Sequence, residues 1–156
     1  MLRMNSDDGR LWVDECGQPL APRMSYYEFR RHPLFSSMPP TGPNAPNQQR
    51  HQFPRQFFEE TPIEGQAEWI NHQLVALWFQ PFPEDCVNEL CRFERGDDRI
   101  LAFQERWVRS WGITKLWGST GEEYSWGTVW PRFNIHAEFH DIAVFFSNPK
   151  SSKGGA

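Results

Sequence analysis

Thr61-Pro62-Ile63-Glu64-Gly65-Gln66-Ala67-Glu68-Trp69-Ile70-Asn71-His72-Gln73-Leu74-Val75-Ala76-Leu77-Trp78-Phe79 is a run of 19 residues without a second proline near the middle of the chain. Its opening combines a threonine able to cap a helix, proline at the first helical position and a glutamate placed to reach back to the cap. Ile63, Ala67, Ile70, Leu74, Leu77 and Trp78 then recur at helical spacing, with Glu64, Glu68, Asn71 and Gln73 opposite them. This pattern predicts a helix over 62–79, ended by Pro81 and Pro83.

Two further helical patterns follow. One starts at Pro83, carries Glu84 and Asp85 in its first turn, turns Val87, Leu90 and Cys91 to one side and stops at Gly96, giving 84–95. The other begins after Asp97-Asp98 and aligns Ile100, Phe103, Trp107 and Trp111 before Gly112, giving 98–111. The expected fold is therefore mainly α, a three-helix core at about 62–79, 84–95 and 98–111, with residues 61–146 forming the body of the chain.

Around that body the sequence is less regular. Residues 1–32 read as a small hairpin, with Leu11 and Val13 alternating and Gly17-Gln18-Pro19 turning, then a short helix opened by the capping-box pattern Ser25-Tyr26-Tyr27-Glu28. Residues 33–60 form an extended strap rich in Pro, Asn and Gln, which has too little apolar surface to collapse alone. Phe35, Met38, Phe53, Phe57 and Phe58 stud it as candidate anchors for a partner. Tyr124 to Trp130 resembles a strand ended by Pro131. Residues 132–146 fit either period; the absence of glycine and internal proline tips that element towards helix over strand. The tail 147–156 is polar.

Composition limits the function classes. The 156 residues are 15% aromatic but only 38% hydrophobic, so apolar surface is concentrated in few large rings that suit contact as well as core. The net charge is −4 and no segment is basic, which argues against recognition of nucleic acid through its phosphates. No apolar run approaches the roughly 20 residues of a transmembrane helix, so membrane association is expected only through partners. Cys16, Cys86 and Cys91 are odd in number and unpatterned, which favours an intracellular reducing compartment. The start Met1-Leu2-Arg3-Met4 leaves a mitochondrial setting open, although Asp7 and Asp8 follow at once.

Chemistry-bearing constellations are few. In His136-Ala137-Glu138-Phe139-His140 the two histidines lie one turn apart on a helix, and on a strand His136, Glu138 and His140 share a face, so zinc is the metal this triplet would suit. The competing account is polar-face histidines, because only Asp141 stands near as a further ligand. Asp97-Asp98 and Glu122-Glu123 read as a cap and a solvated loop, and Gly118 to Gly121 lacks the lysine and flanks of a phosphate loop. Trp117, Trp126 and Trp130, set among glycines, make an aromatic platform for a partner or a glycan. No catalytic residue and no resident cofactor is assigned. The reading is of a non-catalytic accessory subunit of a multiprotein complex, possible settings including an organellar, respiratory-type assembly; a small metalloprotein or hydrolase at His136, Glu138 and His140, and a glycan-binding module, are the alternatives.

Overall fold

The computed structural model describes residues 1–42, 45–80, 98–134 and 139–147, with Ser119, Asn134 and Phe139 described in backbone alone. The stretch 61–79 is not a helix. It is a β-hairpin: β5 (Thr61–Ile70) and β6 (Gln73–Gln80) run antiparallel from Glu64 opposite Gln80 to Ile70 opposite Gln73. Ile63, Ala67, Trp69, Leu74, Leu77 and Phe79 are buried, while Gln66 and Gln80 are exposed.

The turn explains the choice. Asn71 and His72 both take positive φ, 49° and 65°, the backbone of a two-residue type I′ hairpin turn. Asn tolerates that region; His does so at a cost of order 1 kcal/mol. Upstream, Glu59 and Glu60 repeat the device at φ 48° and 62°, joining β4 (Gln56–Phe58) to β5. Thr61 and Pro62 therefore stand inside a strand rather than at a helix start, and Pro62 is tolerated because it precedes the first β5–β6 pair and faces only β4. His72→Gly should raise stability by about 0.5–1 kcal/mol, read as a shift of the urea midpoint at unchanged slope.

The sheet is completed by β3 (Gln48–Gln52), β7 (Gly127–Asn134) and β8 (Phe139–Phe146), in the order β3-β5-β6-β8-β7 and antiparallel throughout, with β4 flanking β5 as the sixth strand. The expected mainly α fold is thus replaced by a mainly β one. Among the described residues the helix favoured for 132–146 is also replaced by strands, since β7 runs straight through Pro131; it is an edge strand there, and its outer side has no ladder among those residues to interrupt. The expected helix 84–95 lies outside the described residues. The third pattern is a helix, α2 (Asp98–Ser110), whose Ile100, Phe103, Trp107 and Val108 are buried, with Trp107 and Trp111 packed edge-on against Phe79. No helix among the described residues is long and apolar enough to cross a membrane.

At the N-terminus β1 (Leu2–Met4) pairs with β2 (Leu11–Val13), and Leu20 returns to bridge Leu11 on the other side. The helix α1 (Tyr26–Phe29) carries the reciprocal capping box of Ser25 and Glu28 that its sequence spells. The described residues of 33–60 then fold onto the chain itself. Pro33–Ser37 is a 3-10 turn capped by His32, whose Nδ1 accepts from the Leu34 N–H at 3.1 Å while Nε2 donates to the Pro19 carbonyl at 3.2 Å. Burial holds this imidazole below its ordinary pKa, which suits the neutral form that the Leu34 contact requires.

His51 in β3 ties the strap down. Its Nδ1 donates to the Met38 carbonyl at 2.6 Å and its Nε2 accepts from the Tyr26 hydroxyl at 2.8 Å, the tautomer being fixed by the carbonyl. Burial raises the Tyr26 phenol, opposed by Arg30, so the hydroxyl keeps its proton. Around this link Phe29 stacks on Trp69 at 4.2 Å, and the His51 ring lies 5.0 Å from Phe29 and 5.7 Å from Phe35. One apolar core gathers Leu2, Leu11, Phe29, Met38, Trp69, Trp111 and Val144.

Candidate functional site

A strand with one buried face exposes the other, so alternate residues of five strands gather on the face turned away from α1 and α2. The pairings Arg50 with Glu68, Gln52 with Gln66, Gln66 with Trp78, Trp78 with Ala143, Thr128 with Phe145, Trp130 with Ala143 and Arg132 with Asp141 place all these residues there. The ring contacts of the two helices reach the opposite face, through Trp69 and Phe79.

Two ion pairs and a row of rings dominate this open face. Arg132 holds Asp141 through two hydrogen bonds, Nε to Oδ1 at 2.7 Å and Nη2 to Oδ2 at 3.2 Å. Its guanidinium also lies 5.0 Å from the Trp130 ring centre and 5.7 Å from that of Phe145. Arg50 donates from Nε to Glu68 at 3.1 Å, and Gln48 donates to the same carboxylate oxygen. Arg50 also reaches across β5 to within 6.0 Å of the Trp78 ring, which meets Phe145 edge-on at 6.2 Å. The carboxylates lie beneath and the guanidiniums above: Glu68 and Asp141 are 5% and 4% exposed, Arg50 and Arg132 48% and 19%.

Between the pairs lies a cleft of about 370 Å³, lined by Gln66, Trp78, Gln80 and both arginines, with Glu64 at its edge held by Arg55 at 2.9 Å. Arginine and tryptophan are among the residue types that concentrate binding energy in protein interfaces, and Arg132 combines a two-point carboxylate pair with two aromatic neighbours. No arrangement of nucleophile, base and oxyanion donor occurs among the lining residues.

The residues singled out from sequence are dispersed. Met38 and Phe53 are buried in the core, and Phe35 and Phe58 are half-buried against it. Phe57 is 67% exposed, beside a second hollow of about 420 Å³ that includes Met1, Phe58 and Trp107. Trp126 is buried, stacked on Tyr124 at 4.9 Å and donating from Nε1 to the Ser6 carbonyl at 2.9 Å, so it is not part of a platform with the other two. Trp130 lies on the open face and Trp117, 41% exposed, belongs to the short helix α3 (Trp117–Thr120), whose Gly118 sits against the Trp130 indole. Of the zinc triplet, His136 and Glu138 lie outside the described residues; His140 is buried on the inward side of β8, its ring 5.0 Å from Phe133. Among the other named thiols Cys86 and Cys91 are likewise outside, and Cys16 is a free, half-buried cysteine.

Arg50, Glu68, Trp78 and Arg132 are not marked as site residues by the sequence, and Asp141 stands out there only as a further ligand beside the histidine triplet. The signal was the period-two run Glu64, Gln66, Glu68 opposed to Ile63, Gly65, Ala67, Trp69.

No family model and no curated protein sequence matches the chain. The fold is similar to that of a solved structure described as "Rhs1-CT in complex with cognate immunity protein RhsI1", with a TM-score of 0.53 and 16% sequence identity, over 98% of this chain and 91% of that one. The likeness is one of fold.

Proposed function

We propose that this chain is a non-catalytic binding protein of the immunity type, which recognises one cognate toxin-like protein through the open face of its sheet. The observation that carries the reading is the face itself, where Trp78, Trp130 and Phe145 are interleaved with two oriented arginines around a cleft. The similarity in fold to an immunity protein solved with its partner supports a protein as the occupant. Trp117 extends the face past the β7 edge as a further contact. The accessory-subunit expectation thereby narrows to a dedicated two-protein complex.

The test is to identify the partner by affinity purification from the native source, then to titrate the two purified proteins. Trp78→Ala should weaken the complex at least about 30-fold, the cost of an interface hot spot of about 2 kcal/mol. Phe57→Ala, on a different surface, should leave affinity within about twofold. The reverse pattern would place the interface at Phe57 and sink the proposal.

A further inference from the structure

We propose that Arg132 is the anchor for a carboxylate side chain, aspartate or glutamate, supplied by the protein partner. This inference rests on the partner-binding reading above and names the chemistry at its centre. A guanidinium offers five N–H donors in a planar fork. In Arg132 the Nε and Nη2 edge is committed to Asp141, whose carboxylate is buried below it. The Nη1 side has no protein acceptor among the described residues, yet the group is fixed in place by that two-point pair and by the rings of Trp130 and Phe145.

A donor so held loses little freedom when it takes a second acceptor, and carboxylate is the acceptor whose geometry matches the fork. Charge points the same way. Arg50 reaches from β3 towards Trp78 on β6, and Arg132 reaches from β7 towards Phe145 on β8, so both cations lean in from opposite sides and line the same cleft. Their own counter-ions are almost wholly covered, and Glu64 at the cleft edge is paired with Arg55, so the charge a partner meets first is positive. Trp78 then supplies the flat apolar wall against which the methylene arm of a glutamate can lie.

The probes are N-acetylglutamate amide and its neutral counterpart N-acetylglutamine amide, titrated against the whole chain while the indole N–H resonances of the tryptophans are followed by NMR. The glutamate probe should shift Trp78 and Trp130 saturably in the millimolar range and leave the buried Trp69 and Trp111 unmoved. The glutamine probe should bind at least tenfold more weakly. Arg132→Lys keeps a cation beside Asp141 but removes the fork, and should lower the glutamate affinity at least tenfold with the Trp69 and Trp111 resonances unchanged. Absence of a glutamate response, equal response to both probes, or a response unchanged in Arg132→Lys overturns the inference. If any of these occurs while Trp78→Ala still disrupts the protein complex, the partner reading stands and only the carboxylate anchor fails. A glutamate site combined with a complex indifferent to Trp78→Ala has the opposite meaning.

Discussion

Gly127→Ala is expected to cost about 4 kcal/mol or more, enough to remove most of the stability of a domain this size. Gly127 opens β7 at a φ of 154°, and a Cβ there would stand 2.0 Å from the carbonyl oxygen of Phe145 and 3.0 Å from its carbonyl carbon. The obstacle is backbone, in the strand to which β7 is paired, so relief requires β8 to shift and the ladder from Gly127–Phe146 onwards to open. Gly121→Ala is the control. That residue also has positive φ, 66°, but none of the described residues lies within 4 Å of an added Cβ, so only the backbone preference of about 1 kcal/mol is lost. Equal unfolding midpoints for the two variants in urea would refute the steric account.

Trp69→Ala should cost about 3–5 kcal/mol, the range for deleting a fully buried large ring. Trp69 is where the sheet meets the strap: Phe29 stacks on it, and Tyr26 and His51 each approach it at 5.7 Å. Its loss should therefore be felt unevenly, with limited proteolysis accelerating within residues 33–60 before the sheet yields. Trp69→Phe, which keeps a ring and removes an indole N–H that has no hydrogen-bond partner among the described residues, should cost much less. Uniform proteolysis along the chain in Trp69→Ala would show that the strap is not held there.

Local signals in the sequence were legible at α1 and α2 and misleading at 61–79. The Ser25–Glu28 capping box and the α2 stripe of Ile100, Phe103 and Trp107 each have a mechanism confined to one turn or one face, and both are present. The hairpin at 61–79 was misread because positions four apart share a side in a strand as well as in a helix. Ile63 with Ala67 and Glu64 with Glu68 satisfy both periods. What separates them is Ile70, which a helix would bury and which is 39% exposed, and Gly65, whose missing side chain makes room for the Phe53 and Phe79 rings stacked at 5.2 Å. The turn was hidden because a type I′ pair written Asn-His lacks the glycine that usually marks it.

The open face was invisible for a related reason. Arg50, Glu68, Trp78, Arg132 and Asp141 come from five strands, and only pairing registers bring them together. The strap was misjudged in the opposite sense. Its low apolar content was real, but Met38, Phe53 and His51 find their partners on α1 and the sheet, so proline-rich composition did not mean dependence on another molecule.

The Met4 N–H donates to the Trp111 carbonyl, and the Trp126 indole donates to the Ser6 carbonyl across 120 positions. The segment from Met4 to Ser6 is therefore secured only once residues 111–126 are in place. Such distant closure slows folding relative to a helical bundle of equal length, and it leaves this segment exposed until its late partners are made.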